Sequence, residues 1–395
     1  MNKTGLKLPH PFLHHTCILN AVFFKIAIIL YTFSSVFSCQ YPYSEPVSEN
    51  ESSPLLPPIT QLPQKTIPLD SQYSVRKDSS RYYTLNCIST RFSDINIYDD
   101  AQLEKKAGIY TTAPNFQSTP INLAFQFIAP SNDTLAKRPF VLMIHEGAYL
   151  FGDLGAEMGK ATLMAQKGYA AAAINYRIGF ENASETNPCG GTSSALIKAL
   201  YRSVQDTYAA IAFFVNNSSS FGIDTQNIFL AGSSAGSMTI TALNYMDENN
   251  FEILYPGITQ ELGPLKPANL GNFKIKGLLS HLGYAITDLN LINANNLKPT
   301  LVFQGANDTI LPYTSGPVLN CGNYFTTHGS YPVISRLKQL NAPFEWIVQP
   351  NSGHNTTYTN EYITDRYALF IKRLFCNDLR QISIIQQNQI ENIKL

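Results

Sequence analysis

The sequence predicts an α/β fold, with a mostly parallel central sheet and helices on both faces. Two observations carry this. Short, continuous apolar runs recur at 139–145, 169–176, 227–231, 275–279, 300–304 and 344–348, as expected of strands buried on both faces. Stretches with helical spacing of apolar residues lie between or after them, at 154–167, 194–216, 330–340 and 358–375. That alternation is the pattern of strand–helix–strand units. In such sheets ligands bind at the carboxyl ends of the strands, so the residues just after each run are where chemistry is expected.

The elements follow in order. Residues 121–129 alternate apolar and polar as a half-exposed strand that Pro130 ends. Pro139 to His145 is a buried strand, 154–167 a helix and Tyr169 to Tyr176 the next strand. The long helix 194–216 places Ala195, Leu196, Ala199, Leu200, Val204, Tyr208, Ile211 and Val215 on one face. The run 227–231 then enters a glycine-rich turn, and the strands 275–279, 300–304 and 344–348 complete the set. Arg177 and Asp206 are expected to form a structural ion pair between a strand end and the long helix.

Composition narrows the function classes. The 395 residues carry zero formal net charge and only 14% charged side chains, so no basic face for nucleic acid is indicated. The six cysteines match no zinc spacing, and no metal or organic cofactor is implied. Cys87, Cys189, Cys321 and Cys376 lie beyond the N-terminal apolar segment and allow two disulfides in three connectivities; four free thiols are the alternative.

Residues 1–38 read as an export signal, with Lys3, Lys7 and Lys25 before an apolar stretch from Ile26 to Phe37 that is short for a membrane span. Val36-Phe37-Ser38 before Cys39 resembles the lipobox of bacterial lipoproteins, which implies lipidation at Cys39 and attachment to a membrane through the N-terminus. Ordinary cleavage after Ser38, giving a secreted protein, is the competing reading. Residues 39–81 are a Pro/Ser-rich tether, 82–378 the folded domain and 379–395 a polar, helix-compatible tail with no assigned role.

The chemistry centres on Gly232-Ser233-Ser234-Ala235-Gly236 between a strand and a helix. A sharp strand-to-helix turn lifts Ser234 Oγ clear of the sheet, and the small flanking residues let the chains pass. By itself the pattern could be a Gly/Ser-rich turn, so the rest of a site is needed. A serine needs a base to take its proton, and usually a carboxylate to orient that base. After Ser234, histidines occur at His281, His328 and His354. His354 is favoured by chain order, with His281 its main rival. Asp308, just after 300–304, is the acid candidate and Asp288 the alternative. The order Ser234, Asp308, His354 is that of α/β-hydrolases. The loop after 139–145, His145-Glu146-Gly147-Ala148-Tyr149, supplies the N–H groups of Gly147 and Ala148, which with that of Ala235 would hold an oxyanion.

These five ordered motifs, His145-x-Gly147-Ala148, Asn175-Tyr176-Arg177, the elbow, Gly305-x-x-Asp308 with Pro312, and Gly353-His354, resemble the α/β-hydrolase superfamily over roughly residues 90–375. The nearest groups are the carboxylesterases and the hormone-sensitive-lipase-like enzymes with an HGGG loop. The resemblance implies a serine ester hydrolase with nucleophile Ser234, acid Asp308, base His354 and oxyanion donors Gly147, Ala148 and Ala235, acting on a small-molecule ester. The sequence departs from the pattern at Glu146, where a glycine is usual, and at Ser237, where many relatives have glycine. Glu146 is expected to point away from the oxyanion. By position, residues 247–272 and Tyr149, Phe151 and Tyr284 are expected to line the substrate pocket. A serine peptidase of the same superfamily is the enzymatic alternative, although the N-terminal region is too short for the propeller such enzymes usually carry. A non-catalytic binding module on the same fold is the alternative from another class.

Overall fold

The computed structural model describes residues 90–388. The export segment 1–38, the tether 39–81, Cys39 and Cys87 lie outside the described residues. In chain order the strands are β1 (Leu103–Pro114), β2 (Pro120–Pro130), β3 (Arg138–Ile144), β4 (Ala170–Ile174), β5 (Ile223–Ser233), β6 (Ile275–His281), β7 (Thr300–Gly305), β8 (Ser315–Pro317), β9 (Thr326–His328), β10 (Phe344–Gln349) and β11 (Gln381–Ile385). The helices are α1 (Gly155–Gln166), α2 (Ser193–Asn216), α3 (Ser218–Phe221), α4 (Ala235–Tyr245), α5 (Glu248–Leu254), α6 (Ile258–Leu262), α7 (Ser330–Gln339) and α8 (Asn360–Phe375).

Nine of these strands form one sheet in the spatial order β1-β2-β4-β3-β5-β6-β7-β10-β11; β8 and β9 make a separate two-stranded ribbon. The pairs β1–β2 and β2–β4 are antiparallel, and every pairing from β4 through β11 is parallel. The predicted α/β architecture is therefore the observed one.

Side chains alternate between the faces of each strand, which divides the core in two. Val141 and Met143 of β3 join Phe229 and Phe303 under α1 and α8, where Met164, Phe370 and Ile371 cover them. Phe140, Leu142 and Ile144 point the other way, toward Leu200 and Val204 of α2 and Met238 of α4. Local chemistry starts the helices. Thr192 accepts from the Ala195 N–H to cap α2, and Thr359 accepts from the Tyr362 N–H to cap α8.

Two buried charge clusters lock helices to strand ends. Arg177 and Asp206 pair as expected, Nη2 to Oδ1 at 2.8 Å, both side chains buried. Glu345 on β10 is wholly buried and accepts from Arg366 Nε at 2.7 Å and Arg373 Nη2 at 2.9 Å, both on α8.

The C-terminal segment corrects an expectation. Instead of a helix-compatible tail, Gln381–Ile385 is β11, parallel to β10 with Phe344 opposite Gln381. The reason is a period of two: Ile382 and Ile384 are buried while Gln381, Ser383 and Ile385 face solvent. Strand β1, with Glu104, Lys105 and Lys106, likewise had no counterpart in the apolar runs.

Candidate active site

Four strand ends converge on one spot. β5 delivers the elbow. Ser234 adopts φ 50 and ψ −113, a strained conformation for a serine, and its N–H donates to the His281 carbonyl at 2.9 Å. The flanking glycines are required by close passage. A Cβ on Gly236 would sit 2.0 Å from the Ile144 carbonyl oxygen, and one on Gly232 would sit 2.3 Å from that of Gly236. Helix α4 can therefore approach the end of β3 only with glycine there. Ser237, unusual for the motif, puts its hydroxyl to use by donating to the Gly283 carbonyl at 2.7 Å, which ties the first turn of α4 to the end of β6.

β7 and β10 bring the other two groups. Ser234 Oγ lies 2.7 Å from His354 Nε2, and His354 Nδ1 lies 2.9 and 3.0 Å from the two oxygens of Asp308. The Asp308 side chain is buried while His354 keeps some exposure. Three further donors fix the carboxylate: the N–H groups of Ile310 and Leu311, at 3.0 and 3.1 Å, and Gln304 Nε2 at 3.2 Å. This arrangement makes Nδ1 the protonated nitrogen of a neutral His354 and leaves Nε2 free to accept the serine proton.

The rival residues go elsewhere. His281 Nδ1 is 3.5 Å from Ser233 Oγ and its Nε2 is 3.1 Å from Thr356 Oγ1, so it faces the back of the elbow. Burial, followed by the Lys160 and His354 charges, holds it well below the usual histidine range and therefore neutral. His328 bonds Ser315 in the ribbon, and Asp288 caps the short turn 289–291 by accepting from the Asn290 N–H.

The loop after β3 has three successive residues with positive φ: Gly147 at 118, Ala148 at 55 and Tyr149 at 63. The Gly147 carbonyl turns into the loop and accepts from the N–H groups of Leu150 and Phe151. The N–H groups of Gly147 and Ala148 donate to no acceptor among the described residues. Such a run of left-handed residues makes a concave nest of N–H groups suited to an anion. Ala235 opens α4, so its N–H has no partner one turn back and adds the helix's positive end. The loop is braced from below. Tyr149 Oη donates to the Ala235 carbonyl at 2.9 Å, and His145 stacks on Tyr176 with ring centroids 4.2 Å apart.

Glu146 is half-buried, and burial pushes its carboxyl above the usual range, opposed first by the Lys160 cation. Lys160 belongs to a cluster that the sequence did not reveal. Its buried Nζ donates to Ser233 Oγ at 2.8 Å and pairs with Glu157 at 2.8 Å, directly behind the Ser234 turn. The available signal was a Glu157/Lys160 pair three residues apart on the apolar side of a predicted helix.

The pocket expectations divide. A narrow cleft of ≈ 10 Å³ opens beside Ser234, and Ala148, Tyr149, Ala235 and Leu311 are among its walls. Tyr149 lines it as expected. Phe151 does not, and its backbone instead closes the Gly147 turn. Tyr284 does not either; the chain turns at Gly283, φ 105, and sends its ring wholly into the core. Residues 247–272 form α5, α6 and their flanks and contribute nothing to the lining.

Cys189 and Cys321 form a disulfide, and Cys376 is also disulfide-bonded. Among the described residues there is no cluster of His, Cys, Asp or Glu that could hold a metal ion.

Comparison with known proteins adds the following. The family model described as BD-FAE matches residues 126–298, a span that holds the 145–149 loop and Ser234; Asp308 and His354 lie beyond it. No curated protein matches. Among solved structures, the chain is similar to MGS-M1, an α/β hydrolase enzyme from a Medee basin deep-sea metagenome library, at 15% identity and TM-score 0.42, covering 64% of this chain and 84% of that one. It is similar to esterase B from Lactobacillus rhamnosis at 13% identity and TM-score 0.45, over 70% and 87% of the two chains. A bacterial heroin esterase is 14% identical, with TM-score 0.43 over 72% and 87%.

Proposed function

We propose that the chain is an α/β-hydrolase and, from that premise, a serine carboxylic-ester hydrolase working through an acyl-enzyme. The observation that carries the proposal is the continuous relay from Ser234 Oγ through His354 to Asp308, at 2.7 and 2.9 Å. In the first half-reaction Ser234 Oγ attacks the ester carbonyl carbon as His354 Nε2 takes its proton. The carbonyl oxygen becomes an oxyanion held by the N–H groups of Gly147, Ala148 and Ala235, each donor contributing about 2.7–4 kcal/mol to the transition state. The tetrahedral centre collapses, the C–O bond to the alcohol breaks, and His354 returns its proton to the departing oxygen. Water then enters on the same side, gives a proton to His354 and attacks the acyl carbon. The carboxylic acid leaves and Ser234 regains its proton.

Ser234→Ala is expected to lower kcat on p-nitrophenyl esters by roughly 10⁴- to 10⁶-fold and to abolish labelling by a fluorophosphonate probe. Hydrolysis by the variant within tenfold of wild type would sink the mechanism. Failure of the wild-type protein to react with the probe or any ester would favour the binding-module reading.

Export belongs to the same proposal. The Cys189–Cys321 bond supports an oxidising compartment, and the lipobox-like residues before Cys39 add membrane attachment. Intact mass of the mature protein decides it: a diacylglyceryl adduct at Cys39 is expected, and an unprocessed Met1 terminus would overturn export.

A further inference from the structure

One wall of the cleft beside Ser234 comes from a segment that the relay does not need. Val318 and Leu319, in the connection between the β7 end and α7, line the cleft together with Leu196 and Met238. Leu319 has φ 59 and Asn320 φ 55. Left-handed backbone is uncommon for any non-glycine residue and unfavourable for a bulky one such as leucine. Such strain persists only where the surroundings over-determine it, and it concentrates at functional sites.

The surroundings here are specific. The Leu319 N–H donates to the Ile310 carbonyl at 2.8 Å, two residues past Asp308. Two residues on, Cys321 is bonded to Cys189. Asn323 Nδ2 then donates to the carbonyls of Cys189 and Gly191 at 3.0 and 2.7 Å, and Ser193 Oγ donates to the Asn323 carbonyl at 3.1 Å. The wall is stapled to the start of α2 and cannot swing away without breaking these links.

Which half of an ester the cleft receives follows from the relay. His354 protonates the departing alcohol, so the alcohol lies on the His354 side, and His354 does not line this cleft. The acyl chain, which stays bonded to Ser234, is the half that enters it. Its lining side chains are apolar apart from Ser234 and the Tyr149 hydroxyl, which is turned to the Ala235 carbonyl, and it leaves room for about one water-sized group. That accommodates a methyl group.

We infer that Leu319, held by the Cys189–Cys321 staple, limits acyl length and confines good substrates to acetyl esters. The inference rests on the esterase reading above. The test compares kcat/KM for p-nitrophenyl acetate and hexanoate in wild type, Leu319→Gly and Leu319→Asn, with fluorophosphonate labelling of Ser234 as an independent readout of a folded site. Glycine and asparagine both tolerate the left-handed turn, so neither removes the backbone conformation. Wild type is expected to prefer acetate, and both variants are expected to raise the hexanoate-to-acetate ratio at least tenfold. A ratio unchanged in labelled variants, or wild-type preference for hexanoate, overturns the role of Leu319 while leaving the esterase intact. Absence of both labelling and turnover in wild type removes the premise and the inference together.

Discussion

Asp308→Asn is expected to lower kcat about ten-thousandfold at neutral pH while leaving the fold in place. The residue is nearly isosteric and its pocket decides its orientation. Ile310 and Leu311 each direct an N–H at one Asp308 oxygen. An asparagine would turn its carbonyl oxygen toward those donors and its NH₂ toward His354. The NH₂ can only donate, so Nδ1 must accept and the ring proton moves to Nε2. Nε2 then has no lone pair for the Ser234 proton, although the 2.7 Å contact can persist with its direction reversed. The loss should fall on kcat rather than on KM, because the cleft beside Ser234 does not include Asp308. Steady-state kinetics with p-nitrophenyl acetate checks this. A variant retaining a tenth or more of wild-type kcat would show that Asp308 does not set the tautomer.

Glu345→Ala is expected to destabilise the protein by about 3–5 kcal/mol, the usual cost of removing one partner from a buried ion pair. The glutamate is wholly buried on β10 between two arginines of α8, and Arg366 and Arg373 are themselves almost excluded from solvent. Without the carboxylate, two guanidinium groups face each other in the interior. In a domain of this size the loss corresponds to a fall in Tm of roughly 5–8 °C. Activity below the transition should survive, because β10 reaches His354 only through the loop that follows it. Calorimetric unfolding is the measurement, and a Tm within 2 °C of wild type would mean that the arginines find solvent or other partners.

How much was legible in the sequence follows from how local each signal is. The parallel strands were readable because burial on both faces demands unbroken apolar runs, as at 139–145 and 227–231. Strands β1 and β11 were not, because each lies at an edge of the sheet. An edge strand exposes part of its surface, so Lys105, Lys106, Gln381 and Ser383 interrupt the apolar pattern. Ser234, Asp308 and His354 could be ordered because each follows its own strand. The Gly147 and Ala148 loop could be placed, but not its three left-handed residues, since Ala148 and Tyr149 carry no propensity for that conformation. Tyr284 and Phe151 do not line the cleft beside Ser234 because position after a strand does not fix where a side chain points. Lys160 and Leu319 were missed for a different reason. Their roles arise from contacts more than seventy residues away in sequence, to Ser233 in one case and to the Ser234 cleft in the other.

The Cys189–Cys321 bond closes a covalent ring spanning 132 residues of sequence. Ser234 and Asp308 lie inside that ring, and His354 lies outside it, on the chain that continues from Cys321. A protease that nicks the backbone anywhere between the two cysteines opens the ring without dividing the molecule. The surface helices α5 and α6 fall within it, including Ile253 at 78% exposure. A single cut there leaves Ser234, Asp308 and His354 on one covalently connected molecule, whereas the same cut in a reduced chain separates the Ser234 fragment from the fragment that carries Asp308 and His354.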